Sequence, residues 1–201
     1  MKYRITHTTK FNYSEAVPVC HNIVRLAPRS CRLQTRHDFR LLVHPDPHVL
    51  RERADVFGNQ ESYFSIEHAH RGLTVTTMST VDVLPREPLD AESTAPWESL
   101  AQENFRAAHP KNLGVLQFYY PSPRVRPFSE LQQYARKSFP KGRPILAAVQ
   151  DLTARIHADF RYDPQSTTVQ TPTEDVFQQR KGVCQDFAHL QIGCLRSLGL
   201  A

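Results

Sequence analysis

Apolar and polar residues alternate along the front of this chain and change to a three- and four-residue rhythm towards its end. Residues 3–13 set Tyr3, Ile5, His7, Thr9, Phe11 and Tyr13 at every second position, the period of a strand. Ala16-Val17-Pro18 breaks that run, and residues 22–26 read as a second short strand ended by Ala27-Pro28-Arg29. Alternation returns over 32–43, with Leu33, Phe39, Leu41 and Val43 on the inward side, until His44-Pro45-Asp46-Pro47 closes it. Residues 48–57 run into Gly58-Asn59, a pair that tolerates positive φ and so predicts a hairpin. Residues 61–67 and 73–84 complete an antiparallel set, with Val75, Thr77, Val81 and Val83 supplying β-branched bulk. Short strands separated by turn signals at this spacing predict a β-sandwich over residues 1–86.

Residues 87–127 read as a linker with a short helix. Pro85, Pro88 and Pro96 punctuate its start, 97–108 has helical character, and Val115 to Tyr120 form an apolar patch. Pro121, Pro123 and Pro127 then enforce an extended path. From residue 128 onward helices dominate. Ser129 is expected to cap a helix through Lys137. Pro144 opens a longer helix whose inner face is Ile145, Ala148, Val149, Leu152, Ile156 and Phe160. Thr173 is expected to cap a short helix ahead of Gly182-Val183-Cys184. Phe187, Leu190, Cys194, Leu195 and Leu198 form the stripe of a buried last helix, with Gly199 as its stop. The fold class predicted is α+β: an antiparallel β-sandwich followed by a helical part, 128–201.

Composition narrows the function little. A 201-residue chain with 40% apolar and 22% charged residues is ordinary globular protein, and its net charge of +5 comes from scattered arginine rather than a basic run. No stretch has the roughly 18 uninterrupted apolar residues of a membrane span, and the opening residues lack the apolar core of a signal peptide. The expectation is a cytoplasmic protein with no membrane partner. Cys20, Cys31, Cys184 and Cys194 have neither disulfide nor zinc spacing, and free thiols are expected for all four. Cys184 and Cys194 would lie about 15 Å apart along one helix, too far to bridge.

Cys184 differs from the other three in its setting. It falls in the first turn of the last helix, where unpartnered backbone N–H groups and the helix dipole favour a thiolate. Gly182 leaves the approach to the sulfur without a side chain, and Gln185 follows in the same turn. That setting is what thiol acyl transfer needs. Thr-Pro-Thr-Glu-Asp-Val-Phe (171–177), Lys-Gly-Val-Cys-Gln-Asp-Phe-Ala (181–188) and Leu-Arg-Ser-Leu-Gly-Leu (195–200) together resemble the nucleophile segment of the transglutaminase-like superfamily. Arg25 to Arg29, Val43 to Pro47 and Asp55 to Gln60 likewise resemble the N-terminal region that precedes the catalytic core in bacterial members. The resemblance implies a papain-like core with a Cys-His-Asp triad and Cys184 as nucleophile, and it implies no cofactor; Gly182 and Gln185 are expected at the oxyanion and substrate approach, with the backbone N–H of Cys184 as an oxyanion donor by analogy with other thiol enzymes.

In that family the His and Asp come from strands after this helix. None of the ten histidines lies beyond His189. His189 itself is about 140° around the helix from Cys184 and faces elsewhere. Residues 128–201 therefore read as an incomplete catalytic core, belonging to a larger parent enzyme and inactive alone. Such a core is expected to expose apolar surface and to self-associate. The parent is expected to act on a protein or peptide substrate, by hydrolysis or by transamidation. A non-catalytic binding or assembly module is the alternative.

His44 with His48, and His68 with His70, look like metal-ligand pairs, but each lacks a third partner at suggestive spacing, so no metal is expected. Arg25, Arg29, Arg32 and Arg36 could mark a basic face for RNA or an acidic protein. Without interleaved aromatic residues a solvated sheet face is favoured, and no nucleic-acid partner is expected. Asp186 near the helix start needs only a structural role.

Overall fold

The computed structural model describes residues 1–106 and 113–201, which divide into a unit of Met1–Pro88 and a unit of Leu89–Ala201. The first is built from β1 (Lys2–Val17), β2 (Cys20–Val24), β3 (Gln34–His44), β4 (Val49–Ala54), β5 (Gln60–Ile66) and β6 (His70–Val83). One antiparallel sheet has the order β1-β6-β3, and a shorter one has the order β2-β5-β4. Their inner faces share one core: Val43, Leu73 and Val75 of the first sheet pack with Phe64 and Ile66 of the second. The alternation read over 73–84 is real, because Leu73, Val75, Thr77, Ser79 and Val81 are all buried while their neighbours are not.

A bulge between Arg36 and Asp38 sets His37 aside to meet Asp82 Oδ2 at 2.7 Å, and it keeps Phe39, Leu41 and Val43 on the inner face. Strand β1 departs from the sequence pattern in one respect. At 16 residues it outruns the second sheet, whose strands have five to seven, so Tyr3, Ile5 and Phe11 remain 43–46% exposed despite their alternation. The Asp55 carboxylate closes the β4–β5 turn by accepting from the N–H groups of Phe57 (2.9 Å) and Asn59 (2.8 Å) and from Asn59 Nδ2. Gly58 takes φ +76° within that turn.

The second unit opens with a 3-10 turn (Ala91–Ser93) inside the stretch read as linker. It continues through α1 (Trp97–Arg106), α2 (Leu113–Tyr119), α3 (Ser129–Arg136), α4 (Ile145–Asp159), β7 (Arg161–Tyr162), α5 (Thr173–Gln179), β8 (Lys181–Gly182) and α6 (Cys184–Ser197). The helix expected over 97–108 is thus seen to residue 106, and 107–108 lie outside the described residues. Leu131, Leu152, Ile156, Phe160, Val176, Leu190, Cys194 and Leu198 make the core, so the inner faces read for α4 and α6 are the buried ones.

Two caps differ from expectation. Ser129 is the first helical residue of α3 and Phe128 the cap, because the Ser129 hydroxyl bonds the neighbouring Glu130 Oε2 (2.6 Å) instead of the backbone. Thr173 is the first residue of α5 behind Pro172, and its hydroxyl donates across the fold to the Arg124 carbonyl at 3.1 Å. Gly199 does end the last helix. At φ +82° it lets its own N–H reach Arg196 O (3.1 Å) and the Leu200 N–H reach Leu195 O (3.0 Å), a Schellman motif.

Candidate functional site

Cys184 is the first residue of α6 and is exposed to solvent. Ten positions later Cys194 is fully buried against α3, and burial pushes its thiol up to about 12. One helix therefore carries a sulfur open to reagents and a sulfur sealed in the core. The first α6 hydrogen bond is made by the Phe187 N–H to Val183 O at 3.1 Å. The N–H groups of Cys184 and Gln185 lie ahead of it, where a helix start leaves donors free for an anion. Gln185 is half-buried in this turn, and His189 is a full turn and more further along.

The approach to Cys184 is fixed from both sides. Upstream, β8 pairs in parallel with β7, with Arg161 opposite Lys181 and Tyr162 opposite Gly182. The Asp163 N–H donates to Gly182 O at 2.9 Å and the Arg161 N–H to Arg180 O at 2.8 Å. Downstream, the Asp186 carboxylate, 3% exposed, accepts the Val183 N–H at 2.8 Å and the Thr167 hydroxyl at 2.6 Å. Val183 is the N-cap and has no polar side chain, so Asp186 at the third helical position supplies the missing partner by reaching back. A Cβ on Gly182 would stand 2.8 Å from Asp186 Oδ2 and 2.9 Å from Asp186 Cβ. The glycine read as clearing a path to the sulfur is therefore also required by the carboxylate packed over it.

Arg180 contributes in a way the sequence did not announce. It occupies the left-handed region at φ 54°, unusual for a residue with a side chain, and ends α5 by donating its N–H to Val176 O at 3.0 Å. Its guanidinium carbon lies 4.2 Å from the Phe177 ring centroid, 4.7 Å from Phe160 and 5.4 Å from Tyr134. Its charge is thus turned into an aromatic cluster, which holds the chain reversal leading into β8. Tyr134 in that cluster donates to Asp159 Oδ2 at 2.8 Å, and burial with this bond raises its phenol above the usual range. Thr167 was missed because a loop hydroxyl has no sequence signature. Asp186 had one: an acidic residue three positions after a helix boundary.

The rings of His68 and His70 meet edge to face, with centroids 6.2 Å apart. His68 is exposed, whereas His70 is 5% exposed, with Nδ1 2.8 Å from His68 O and its ring edge-on to Tyr13. Among the described residues no group of three or more His, Cys, Asp or Glu side chains is placed to hold a metal.

Comparison with known proteins supplies the relationship. Residues 3–82 match the bacterial transglutaminase-like N-terminal region, and residues 132–201 match the transglutaminase-like superfamily core. An uncharacterized protein of Mycobacterium tuberculosis is 37% identical over 206 residues, covering 100% of this chain and 63% of its own. An uncharacterized protein of Mycobacterium leprae is 30% identical over 199 residues, covering 99% of this chain and 68% of its own. A crystal structure from Cytophaga hutchinsonii, titled “Putative Cysteine Protease”, shares the fold with a TM-score of 0.74 at 23% identity, covering 98% of this chain and 64% of its own. The chain thus spans about two thirds of the length of these relatives. With both family models matched in order and a mycobacterial relative covered over most of its length, the chain belongs to the transglutaminase-like superfamily.

Proposed function

We propose that this chain carries the nucleophile of a thiol enzyme acting on amide or peptide carbonyls, and that the nucleophile is Cys184. The supporting observation is the placement of an exposed sulfur at the start of α6, anchored on one side by the β7–β8 ladder and on the other by Asp186. In the proposed reaction the Cys184 thiolate attacks the carbonyl carbon. A C–S bond forms, the C–N bond breaks, and the amine leaves with a proton to give a thioester. Water or a second amine then attacks the thioester and expels the thiolate. Water gives hydrolysis, the outcome we favour because it is always present, and an amine gives acyl transfer.

The N–H groups at the α6 start are the proposed oxyanion donors, with Gly182 and Gln185 beside the substrate path. The proton carrier is proposed to be a histidine, paired with an aspartate, from the part of the longer relatives that this chain does not span; His189 is not used. No cofactor is invoked. We propose a protein or peptide as substrate and a cytoplasmic setting. Among the described residues no helix is long and apolar enough to cross a membrane.

The reading is tested by alkylation of the native chain with iodoacetamide, followed residue by residue by mass spectrometry between pH 6 and 9. Cys184 is expected to outpace Cys31, which is also exposed, at neutral pH. Equal rates, rising together with pH, remove the activated thiol.

A second reading, a non-catalytic binding or assembly module, draws on a mainly apolar recess of about 500 Å³. It is lined by Val115, Phe118, Ile192, Leu195 and Leu200, with Arg196 at its side. That reading predicts concentration-dependent self-association in sedimentation and no difference between Cys184 and Cys31.

A further inference from the structure

The β-unit contains a recess of about 390 Å³ that has no part in the proposed chemistry. Its walls are the 27–30 loop, Arg36, the Gly58 turn and the end of β4 from Glu52 to Ala54. Three arginines face it, Arg29, Arg36 and Arg53, against one carboxylate, Glu52, which is already engaged by Gln60 Nε2 at 2.7 Å.

Each arginine is held at one end and leaves donors over. Arg29 gives one N–H to Phe57 O and lies across the Gly58 turn, where a Cβ would come within 3.2 Å of its Nη2. Arg36 gives Nη1 to Pro28 O at 3.3 Å, anchors its backbone N–H on Ser30 Oγ at 3.1 Å, and rests over the Phe39 ring. Arg53 gives Nε to the buried Glu61 carboxylate at 2.8 Å, which Arg25 also engages. Glu61 is 2% exposed and is held below the usual carboxylate range by the Arg53 bond and then by Arg25. Glu61 thus neutralises Arg25 and Arg53 in part, whereas Arg29 and Arg36 have no carboxylate partner among the described residues. A guanidinium has five N–H donors, so two of them, each fixed by a single backbone carbonyl, leave donors that water holds in the free protein and that an acceptor-rich group can take over.

We propose that this recess binds side-chain carboxylates of an extended acidic peptide segment, with Arg29 and Arg36 as the reading residues. Planar forked donors match a carboxylate in two-point geometry. The recess is at the small end of ligand sites, so it takes a side chain rather than a large molecule. Glu52 in the wall repels a phosphate dianion more than a single carboxylate charge. Among the described residues no aromatic side chain lines the recess to stack a base, which disfavours single-stranded nucleic acid. Among the described residues β4 is an edge strand, paired with β5 alone, and its outer edge could hydrogen-bond an extended backbone.

The test uses the 201-residue chain and a labelled, C-terminally amidated peptide of alternating Glu and Ser, read by fluorescence anisotropy at low salt. Saturable binding is expected, at least tenfold weaker for Arg29→Gln/Arg36→Gln and for a peptide with Gln in place of Glu. Arg40→Gln, on a guanidinium of β3 that faces solvent, is expected to leave binding unchanged. Equal loss with Arg40→Gln would mean net charge alone and overturns the proposal. So does displacement of the peptide by inorganic phosphate or an oligouridylate at lower concentration than the peptide itself, or absence of binding at millimolar peptide. NMR titration of the unmodified chain gives an answer that needs no variant: amides of residues 27–36 and 52–54 must shift, and shifts confined elsewhere overturn it.

Discussion

Replacing Gly182 with alanine adds one methyl group at the most constrained point of the site. The new Cβ would stand 2.8 Å from Asp186 Oδ2, 2.9 Å from Asp186 Cβ and 3.2 Å from its Cγ, where ordinary contact begins at 3.4 Å. Turning the Asp186 side chain cannot relieve the contact with its Cβ, which is fixed to the α6 backbone. Either β8 must therefore move off β7, stretching the 2.9 Å bond from the Asp163 N–H to Gly182 O, or α6 must shift at its start. Overpacking of this kind costs about 1–3 kcal/mol. A weakened bond to the buried carboxylate adds about 1.5 kcal/mol. Together they predict a loss of about 3 kcal/mol, or a fall of about 1.5 M in the urea midpoint for an m-value near 2 kcal/mol/M.

The assay is urea unfolding followed by the fluorescence of the single tryptophan, Trp97, whose ring meets Phe139 edge-on at 5.7 Å within the same unit. Gly114→Ala is the matched control, since nothing lies within 4 Å of its added Cβ and helix propensity favours alanine by up to about 1 kcal/mol. A Gly182→Ala protein within about 0.5 kcal/mol of the parent would refute the packing argument and leave Gly182 only the substrate-approach role proposed for it.

Three further outcomes follow from the same geometry. Thr167→Ala removes one of two donors to the buried Asp186 carboxylate and is expected to cost about 1.5 kcal/mol in the same urea assay, a change below about 0.3 kcal/mol counting against it. Cys194, raised to about 12 from an ordinary 9.0, binds its proton more tightly folded than unfolded. Its contribution is therefore full below pH 9 and is lost as pH rises towards 12, so the parent should lose stability more steeply there than Cys194→Ala. Glu61 has the opposite sign. Held low when folded, it stabilises the β-unit above the ordinary carboxylate range and ceases to do so as pH falls through its lowered value. Glu61→Gln should flatten the acid limb of a β-sheet circular-dichroism titration, and an unchanged acid limb would exclude Glu61 as its source.

Most of the architecture was legible because burial follows period. Val75, Thr77 and Val81 alternate in the sequence and lie inward in β6, and Leu190, Cys194 and Leu198 recur at helical spacing and face the α6 core. What stayed hidden depended on contacts between residues far apart in the chain. Periodicity gives β1 an inward face but cannot say that the opposing sheet is too short to cover it. Serine and threonine beside a helix start read as caps by propensity, yet the Ser129 hydroxyl is taken by the carboxylate of its neighbour Glu130 and that of Thr173 by the distant Arg124 carbonyl, one a local competitor and the other a tertiary one. Gly193 carried no local signal, although a Cβ there would meet Leu131 Cδ1 at 2.8 Å, so the glycine lets α3 approach α6.

The position of the Cys184 sulfur results from three restraints of different physical kind. Cation–π attraction holds Arg180 at a strained φ and so fixes where α5 ends. Backbone pairing of β7 with β8 then carries that fixed point forward to Gly182. A buried carboxylate, Asp186, ties the cap of α6 back to the 163–172 loop through Thr167. Each spans a different distance in sequence, and none passes through Cys184 itself. The proposed nucleophile must keep its own side chain unencumbered to react, so its precision has to come from neighbours whose side chains are fully committed elsewhere. On this argument substitutions at Arg180, Gly182 and Thr167 should disturb the reactivity of the thiol more than substitution of half-buried Gln185 beside it. Comparative alkylation rates of Cys184 across those four variants decide whether the order holds.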